Sequence, residues 1–354
     1  SDASTKLLEK FQDPSQVRLI FEEFFLLQLA LALKKRRIEV EECGQPFKTR
    51  GEMIRKFLKL LNFNLTQAQK RVLREIMNYL ERNEPMNLLL QGDVGSGKTV
   101  VALIALLTGV DNDCQTALMA PTELLAEQHF LSIRPFCEAL NITIALVTSS
   151  GTAKEKSLLH SLIANGKTQI IVGTHALIQK KIEFSKLGLI VVDEQHRFGV
   201  LQRDALSKKG LTPHVLIMTA TPIPRSLALT LYGDMNVSFL DEFPPGRIPI
   251  ETQLFYEDAR NTAYTLLEKE IKEGRQAYVV CPLIEESESI DLKAAIDVTD
   301  ELQNRKLPNF KIQLIHGKLK KEERQKIMSE FKNGEIDVLV STTVIEVGID
   351  VPNA

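Results

Sequence analysis

No apolar run in this sequence is long enough to cross a bilayer. The longest, FFLLQLALAL from Phe24 to Leu33, spans ten residues and is interrupted by Gln28, against about 20 for a membrane helix. It reads as a buried helix. The N-terminus carries early charges and no signal-peptide pattern, so no membrane partner is expected and the cytoplasm is the expected location. Cysteine is scarce. Cys43, Cys114, Cys137 and Cys281 stand far apart, and the six histidines do not gather near them, which argues against a CxxC metal or redox site. The four read as reduced, buried thiols of a cytosolic protein. An excess of one charge is also lacking, with 44 Lys and Arg against 46 Asp and Glu. Composition therefore points to no nucleic-acid partner, and any such contact must come from local cations or loop amides. Tryptophan is absent, which excludes nothing. The sequence does not begin with Met, and an excised piece of a longer protein is the expectation.

What is present is globular: 354 residues, 44% hydrophobic and 25% charged, enough for two or three domains. Residues 1–62 read as a helical linker. Asp13 is placed to cap a helix, Pro14 to open it and Gln16 to close a capping box. The helix runs to Lys34, Lys35, Arg36 and Arg37, a solvated C-terminal turn that favours cations, with phosphate contact as the alternative. From 63 to 243, short runs apolar on both faces alternate with helices: MNLLLQ (86–91), QTALMA (115–120), ITIALV (142–147), TQIIVG (168–173), LGLIVVDE (187–194) and HVLIMTA (214–220). That alternation predicts a parallel sheet covered on both sides. Residues 241–249, with three prolines and a glycine, look like an interdomain linker. A second set follows within 244–354: ETQLFYE (251–257), QAYVVCP (276–282), FKIQLIH (310–316) and IDVLVST (336–342). This second lobe is expected to be incomplete at its C-terminus.

The strongest local signal is Gly92-Asp93-Val94-Gly95-Ser96-Gly97-Lys98-Thr99, a G-x-x-x-x-G-K-[ST] loop. It follows a predicted strand and opens a predicted helix. Glycines let such a loop wrap phosphates closely, with its amides gathered at a helix N-terminus. Lys98 is expected to reach the β and γ phosphates of ATP, and Thr99 to ligate Mg²⁺. The strand LGLIVVDE then delivers Asp193 and Glu194 to its carboxyl end, where open α/β sheets bind ligands. Two adjacent acids can divide two tasks: Asp193 holds Mg²⁺, and Glu194 orients and deprotonates the attacking water. Upstream, Thr66 and Gln69 have capping-box spacing. The functional alternative is that Gln69 hydrogen-bonds an adenine edge. One amide cannot fill both roles at once.

These elements stand in an ordered series: Pro121-Thr122-Glu-Leu, Gly173-Thr174-His175, Asp193-Glu194-Gln195-His196, Thr219-Ala220-Thr221, then Ser341-Thr342-Thr343 with Gly348-Ile-Asp350. Each falls just after a predicted strand, hence on one edge of a sheet, where free amides and hydroxyls can grip phosphates without reading bases. The order resembles that of superfamily 2 helicases, and D-E-Q-H in place of D-E-A-D argues against the common RNA helicases. The stretches VGTHALIQ (172–179), VVDEQHRFGV (191–200), MTATPIPRSLALTLYGD (218–234), CPLIEESES (281–289), IHGKL (315–319) and VLVSTTVIEVGIDVP (338–352) together resemble the RecG family of bacterial branch-migration helicases. The resemblance covers about residues 15–352. The related transcription-repair coupling factors usually carry D-E-E-H, so Gln195 favours RecG.

The resemblance implies two tandem RecA-like α/β lobes, the second truncated, after a helical linker. It implies an ATP- and Mg²⁺-dependent motor, expected as a monomer, acting on forked and four-way DNA. Gly92 to Thr99 would bind phosphate and metal. Lys98, Asp193, Glu194, Gln195 and His196 would carry catalysis. Gln195 and His196 would also couple nucleotide state to Thr219, Ala220 and Thr221. Pro121, Thr122, Gly173, Thr174 and His175 would lie along the DNA backbone. From the second lobe, Thr342 and Thr343 would approach DNA, and Gly348 and Asp350 nucleotide. The family's N-terminal wedge and its arginine-rich C-terminal motif are not visible, and no arginine follows Thr343. Two other readings stay open: a nucleotide-sensing DNA-binding piece with negligible turnover, and the motor of a coupling factor.

Overall fold

Parallel strands need a crossover between them, and this chain supplies a helix for most of its crossovers. The computed structural model describes residues 11, 13–41, 44–148, 152–179, 181–194, 212–221, 235–245, 250–281, 288–342, 351 and 353–354. The chain divides into two compact units, Ser1–Arg247 and Ile248–Ala354.

The first unit begins with helix α1 (Pro14–Glu41) and continues with α2 (Glu52–Leu60) and α3 (Gln67–Leu80). Strand β1 (Asn87–Gly92) leads into α4 (Lys98–Asp111), β2 (Gln115–Met119) into α5 (Glu123–Ala139), and β3 (Ile144–Val147) into α6 (Ala153–Ala164). Then come β4 (Ile170–Gly173), a 3-10 turn at His175–Ile178, β5 (Leu187–Asp193), β6 (His214–Thr219) and β7 (Asn236–Leu240). The seven strands form one sheet in the order β3-β4-β2-β5-β6-β1-β7, every pairing parallel. Six of them match the expected runs. β7, whose sequence NVSFL is short and mixed, was not legible.

Both faces of this sheet are covered, because successive side chains of a strand point to opposite sides. Leu88 and Leu90 join one buried cluster, together with α2, α3 and α4, while Leu89 joins another. In β5, Leu189 and Val191 face the first cluster and Ile190 and Val192 the second. Helix α4 is buried from Val101 to Val110 because α2 and α3 pack over it. The segment before α2 is pinned by His214, which donates from Nε2 to the Gln45 carbonyl at 2.8 Å. Its Nδ1 accepts the Met86 amide at 2.9 Å, and its ring meets Phe47 edge-on.

The second unit holds α7 (Arg260–Lys272), β8 (Ala277–Cys281), α8 (Glu288–Glu301), β9 (Ile312–Ile315), α9 (Lys321–Lys332) and β10 (Val338–Thr342). Its three described strands run parallel in the order β8-β10-β9. Buried clusters lie on both sides, around Phe331 and Leu339 and around Leu302 and Val340. The architecture is that of two α/β parallel-sheet lobes.

Four expectations need correction. The run Phe24–Leu33 is helical but not buried: Phe21, Phe24, Phe25, Leu26, Leu27 and Leu29 are all exposed, and no described residue before Phe47 enters a core. Among the described residues, α1 is not used as a layer against the sheet. The capping box at Asp13 forms by half. Asp13 Oδ1 accepts the Ser15 amide at 2.9 Å, but Gln16 Oε1 has no partner among the described residues. Residues 251–257 form no strand. Residues 251–256 are irregular and Glu257 opens a 3-10 turn; Ile250, Leu254 and Tyr256 are more than 70% exposed, since no described strand lies alongside to satisfy their backbone groups. Of the cysteines, Cys114 and Cys137 are buried and Cys281 is partly so. Burial pushes the Cys137 thiol up to about 12, so it stays protonated and unreactive. Cys43 and the Lys34, Lys35 and Arg37 side chains lie outside the described residues.

Candidate functional site

The order of the first sheet sets which loops share its carboxyl edge. Strands β1, β6, β5, β2 and β4 are consecutive neighbours. The loops leaving them are those of Gly92–Thr99, Ala220, Glu194, Pro121 and Thr174, so five motifs far apart in the sequence become one row.

The Gly92–Thr99 loop is built by glycine. Gly95 and Gly97 have φ of +76° and +90°, conformations that side chains rarely adopt. A Cβ on Gly97 would sit 2.2 Å from Gln69 Nε2, and one on Gly92 2.7 Å from Ser96 Oγ. Gly97 ends the loop and starts α4, so the unpaired amides of a 14-residue helix face the loop. The Lys98 ammonium donates to the carbonyls of Gly92 at 2.7 Å and Asp93 at 3.0 Å. Burial lowers its pKa, while the negative charges of Asp193, Glu194 and Asp93 oppose that shift. The cation and the acidic pair thus share one electrostatic site. Asp93 Oδ1 accepts the Val94 amide at 2.7 Å. Ser96 Oγ is buried and has no hydrogen-bond partner among the described residues. These features fit a bound phosphate group.

Gln69 is buried and already committed at both ends. Its Oε1 accepts the Thr66 amide at 2.9 Å, and Thr66 Oγ1 accepts the Gln69 amide at 3.1 Å, which completes the capping box of α3. Its Nε2 donates to the Ser96 carbonyl at 2.8 Å. The side chain therefore reaches the phosphate loop rather than open space.

At the end of β5, Asp193 and Glu194 diverge. Asp193 Oδ1 accepts the Glu194 amide at 3.1 Å, and Oδ2 lies 2.7 Å from His129 Nε2 of α5. Glu194 has φ of +49°, a left-handed conformation uncommon for a side-chain-bearing residue. That turn aims its carboxylate at the next strand's loop, where Oε1 accepts the Ala220 amide at 3.2 Å. Beside it, Thr219 Oγ1 and Thr221 Oγ1 are 2.7 Å apart, and Thr219 Oγ1 accepts the Thr221 amide at 3.2 Å. His129 carries no signal in the sequence, being 64 residues from Asp193. Among the described residues no three His, Cys, Asp or Glu side chains converge on a cation. A Mg²⁺ here would draw on Asp193, the Thr99 hydroxyl and phosphate oxygens, the hard-oxygen set it prefers.

The loops after β2 and β4 differ in what they offer. Pro121 and Thr122 are partly exposed, and Thr122 Oγ1 caps α5 by accepting the Leu125 amide at 3.3 Å. Gly173 and Thr174 are buried, and Thr174 Oγ1 accepts the Ala176 amide at 3.4 Å. Only His175 of this group is exposed. In the second unit Thr342 ends β10 and is buried. Gln195, His196, Thr343, Gly348 and Asp350 lie outside the described residues.

Two family models match the chain, a DEAD/DEAH box helicase over residues 66–230 and a helicase conserved C-terminal domain over 259–354. Among curated proteins, the ATP-dependent DNA helicase RecG of Synechocystis sp. is 48% identical over 95% of the chain. That of Aquifex aeolicus is 47% identical over 100%. By sequence the chain is a relative of the RecG helicases. The solved structure of RecG bound to a three-way DNA junction superposes with a TM-score of 0.79 at 44% identity, covering 95% of this chain. The DEAD-box helicase Mss116 bound to ssRNA matches at a TM-score of 0.63 with 19% identity, a likeness of fold alone. The chain spans 41% and 44% of the two RecG relatives and 44% of the RecG chain in the junction structure. No described helix is long and apolar enough to cross a membrane.

Proposed function

We propose that this chain is the ATP-driven motor of a RecG-type DNA helicase acting on branched DNA, such as four-way junctions and stalled forks, in recombination and repair. One observation carries the reading. The carboxyl edge of a single parallel sheet brings together a glycine-built loop, its partly buried lysine, and two adjacent carboxylates whose charges act on that lysine. No binding module needs a lysine, a metal-type aspartate and a separately aimed glutamate on one edge; phosphoryl transfer to water does.

In this reading the amides of Gly92 to Thr99 and the Lys98 ammonium bind the phosphates of ATP. Lys98 would exchange the carbonyls of Gly92 and Asp93 for phosphate oxygens. Thr99 and Asp193 would hold Mg²⁺, which when bound neutralises charge on the phosphates. Glu194 would accept the proton of the attacking water. Its hydrogen bond to Ala220 offers a route by which hydrolysis reaches Thr219 and Thr221. Gln69 acts on the site through the Ser96 carbonyl, and a contact with adenine would require giving up that bond or the one to Thr66. Gln195, His196, Gly348 and Asp350 are assigned to nucleotide state by motif position alone.

DNA would lie across the loops after β2 and β4. His175 and the partly exposed Pro121 and Thr122 are the surface there, while Gly173 and Thr174 shape the turn. Thr342 and Thr343 are the counterpart in the second unit. A DNA substrate is compatible with work in the cytoplasm. Steady-state ATP hydrolysis by the native-length protein, with and without a three-way junction, tests the proposal. Stimulation by the junction, lost in Glu194→Gln, is expected; equal rates with and without DNA would count against a motor.

A further inference from the structure

We propose that His129 is a positioning residue for the metal-holding carboxylate of Asp193. This rests on the nucleotide-site reading above and goes beyond it, since His129 belongs to none of the motifs that define that site. Three observations support it. First, the contact is short and enclosed: Nε2 lies 2.7 Å from Oδ2, and the two side chains are 11% and 13% exposed. Second, a carboxylate presents acceptors only, so the imidazole nitrogen that faces it must donate. Third, the opposite oxygen, Oδ1, already accepts the Glu194 amide.

Asp193 is thus held at both oxygens, from two directions. Two bonds to different atoms of a planar group fix both of its side-chain torsions, whereas one would leave it free to turn. The bond from the backbone travels with the aspartate itself. The bond from His129 comes from another element, helix α5, which is capped by Thr122 of the candidate DNA-facing loop and lies over β3 and β4. His129 sits seven residues along it, about 10 Å from its start at 1.5 Å per residue, and reaches across β2 to β5. Each oxygen keeps a second lone pair, so a cation can still be ligated. Partners that orient a metal ligand in this way are worth 10- to 100-fold in metal affinity elsewhere.

The readout is the Mg²⁺ concentration needed to tighten binding of N-methylanthraniloyl-ADP to this 354-residue chain, measured by fluorescence. His129→Gln keeps a donor at the ε position. His129→Leu keeps bulk without a donor, and His129→Asn keeps a donor on too short an arm. The Leu and Asn variants are expected to need roughly tenfold more Mg²⁺, with affinity in EDTA unchanged, and Gln to return to within about twofold of wild type. A merely packed histidine would give the opposite order, Leu better than Gln. If Leu disturbs the fold, judged by circular dichroism, the Asn and Gln pair decides alone. Wild-type Mg²⁺ dependence in folded Leu or Asn variants overturns the proposal. A wild type that binds no nucleotide, or Lys98→Ala binding as wild type does, instead removes the nucleotide site and this inference with it.

Discussion

Glu194 Oε1 accepts the backbone amide of Ala220 at 3.2 Å, joining the end of β5 to the loop after its neighbour β6. The carboxylate assigned to activate water is therefore anchored by the loop assigned to report that event. A glutamine at 194 keeps the acceptor and loses the base. Glu194→Gln should slow ATP hydrolysis by the native-length protein about 10²- to 10⁴-fold while nucleotide still binds. Quenched-flow hydrolysis and equilibrium binding measure the two quantities separately, and near-normal turnover would assign the base elsewhere.

Lys98 is the only side-chain cation within the phosphate loop. ATP at a hundred times its dissociation constant should stabilise the first unit by about 2.7 kcal/mol. Lys98→Ala should lose that stabilisation, as seen by thermal denaturation with Mg·ATP. An unchanged shift would mean that nucleotide binds at another place.

Gln69 bonds the phosphate loop through Ser96 and caps α3 through Thr66. A residue acting through the loop is blind to the base. Gln69→Ala should weaken ADP and GDP binding to the same degree, and should cost about 1 kcal/mol of stability through the lost cap. A selective loss of ADP binding, by isothermal titration, would instead show that the amide leaves Ser96 to read adenine.

His214 is buried with both ring nitrogens bonded, and burial holds its pKa below the ordinary 6.5. The sign follows. The folded state prefers the neutral ring, so its contribution is complete above 6.5 and declines as pH falls from there toward the lower folded value. His214→Phe should destabilise the chain at pH 7.5, and its melting temperature should draw closer to that of wild type at pH 5.5. A gap that widened on acidification would mean that the buried ring is charged.

Helix α1 contributes nothing to a described core, which begins at Phe47. Deleting residues 1–43 should leave the melting temperature of the first unit within about 1 °C and reduce binding of an apolar dye such as ANS, because large exposed apolar surface is what such probes detect. A large drop in stability would place the helix against the core.

Much of this protein is local in origin and therefore legible in its residues. Nine strands follow from runs apolar on both faces, and the phosphate loop from glycines at Gly92, Gly95 and Gly97, whose need for close approach or positive φ is a property of a few neighbouring residues. Asp193 and Glu194 could be placed at the carboxyl edge because a strand delivers its end to one edge whatever its neighbours are. The order of those strands is different in kind. Nothing within any run says that β5 lies between β2 and β6, and it is that order which sets His129 against Asp193 and Ala220 against Glu194. Burial of α1 failed for the converse reason: apolar composition marks a helix as fit for a core, but only packing decides whether a core has a place for it. The dual commitment of Gln69 likewise required the fold, since an amide's partners are chosen among all groups within about 3 Å, and the deciding one, the Ser96 carbonyl, stands 27 residues away.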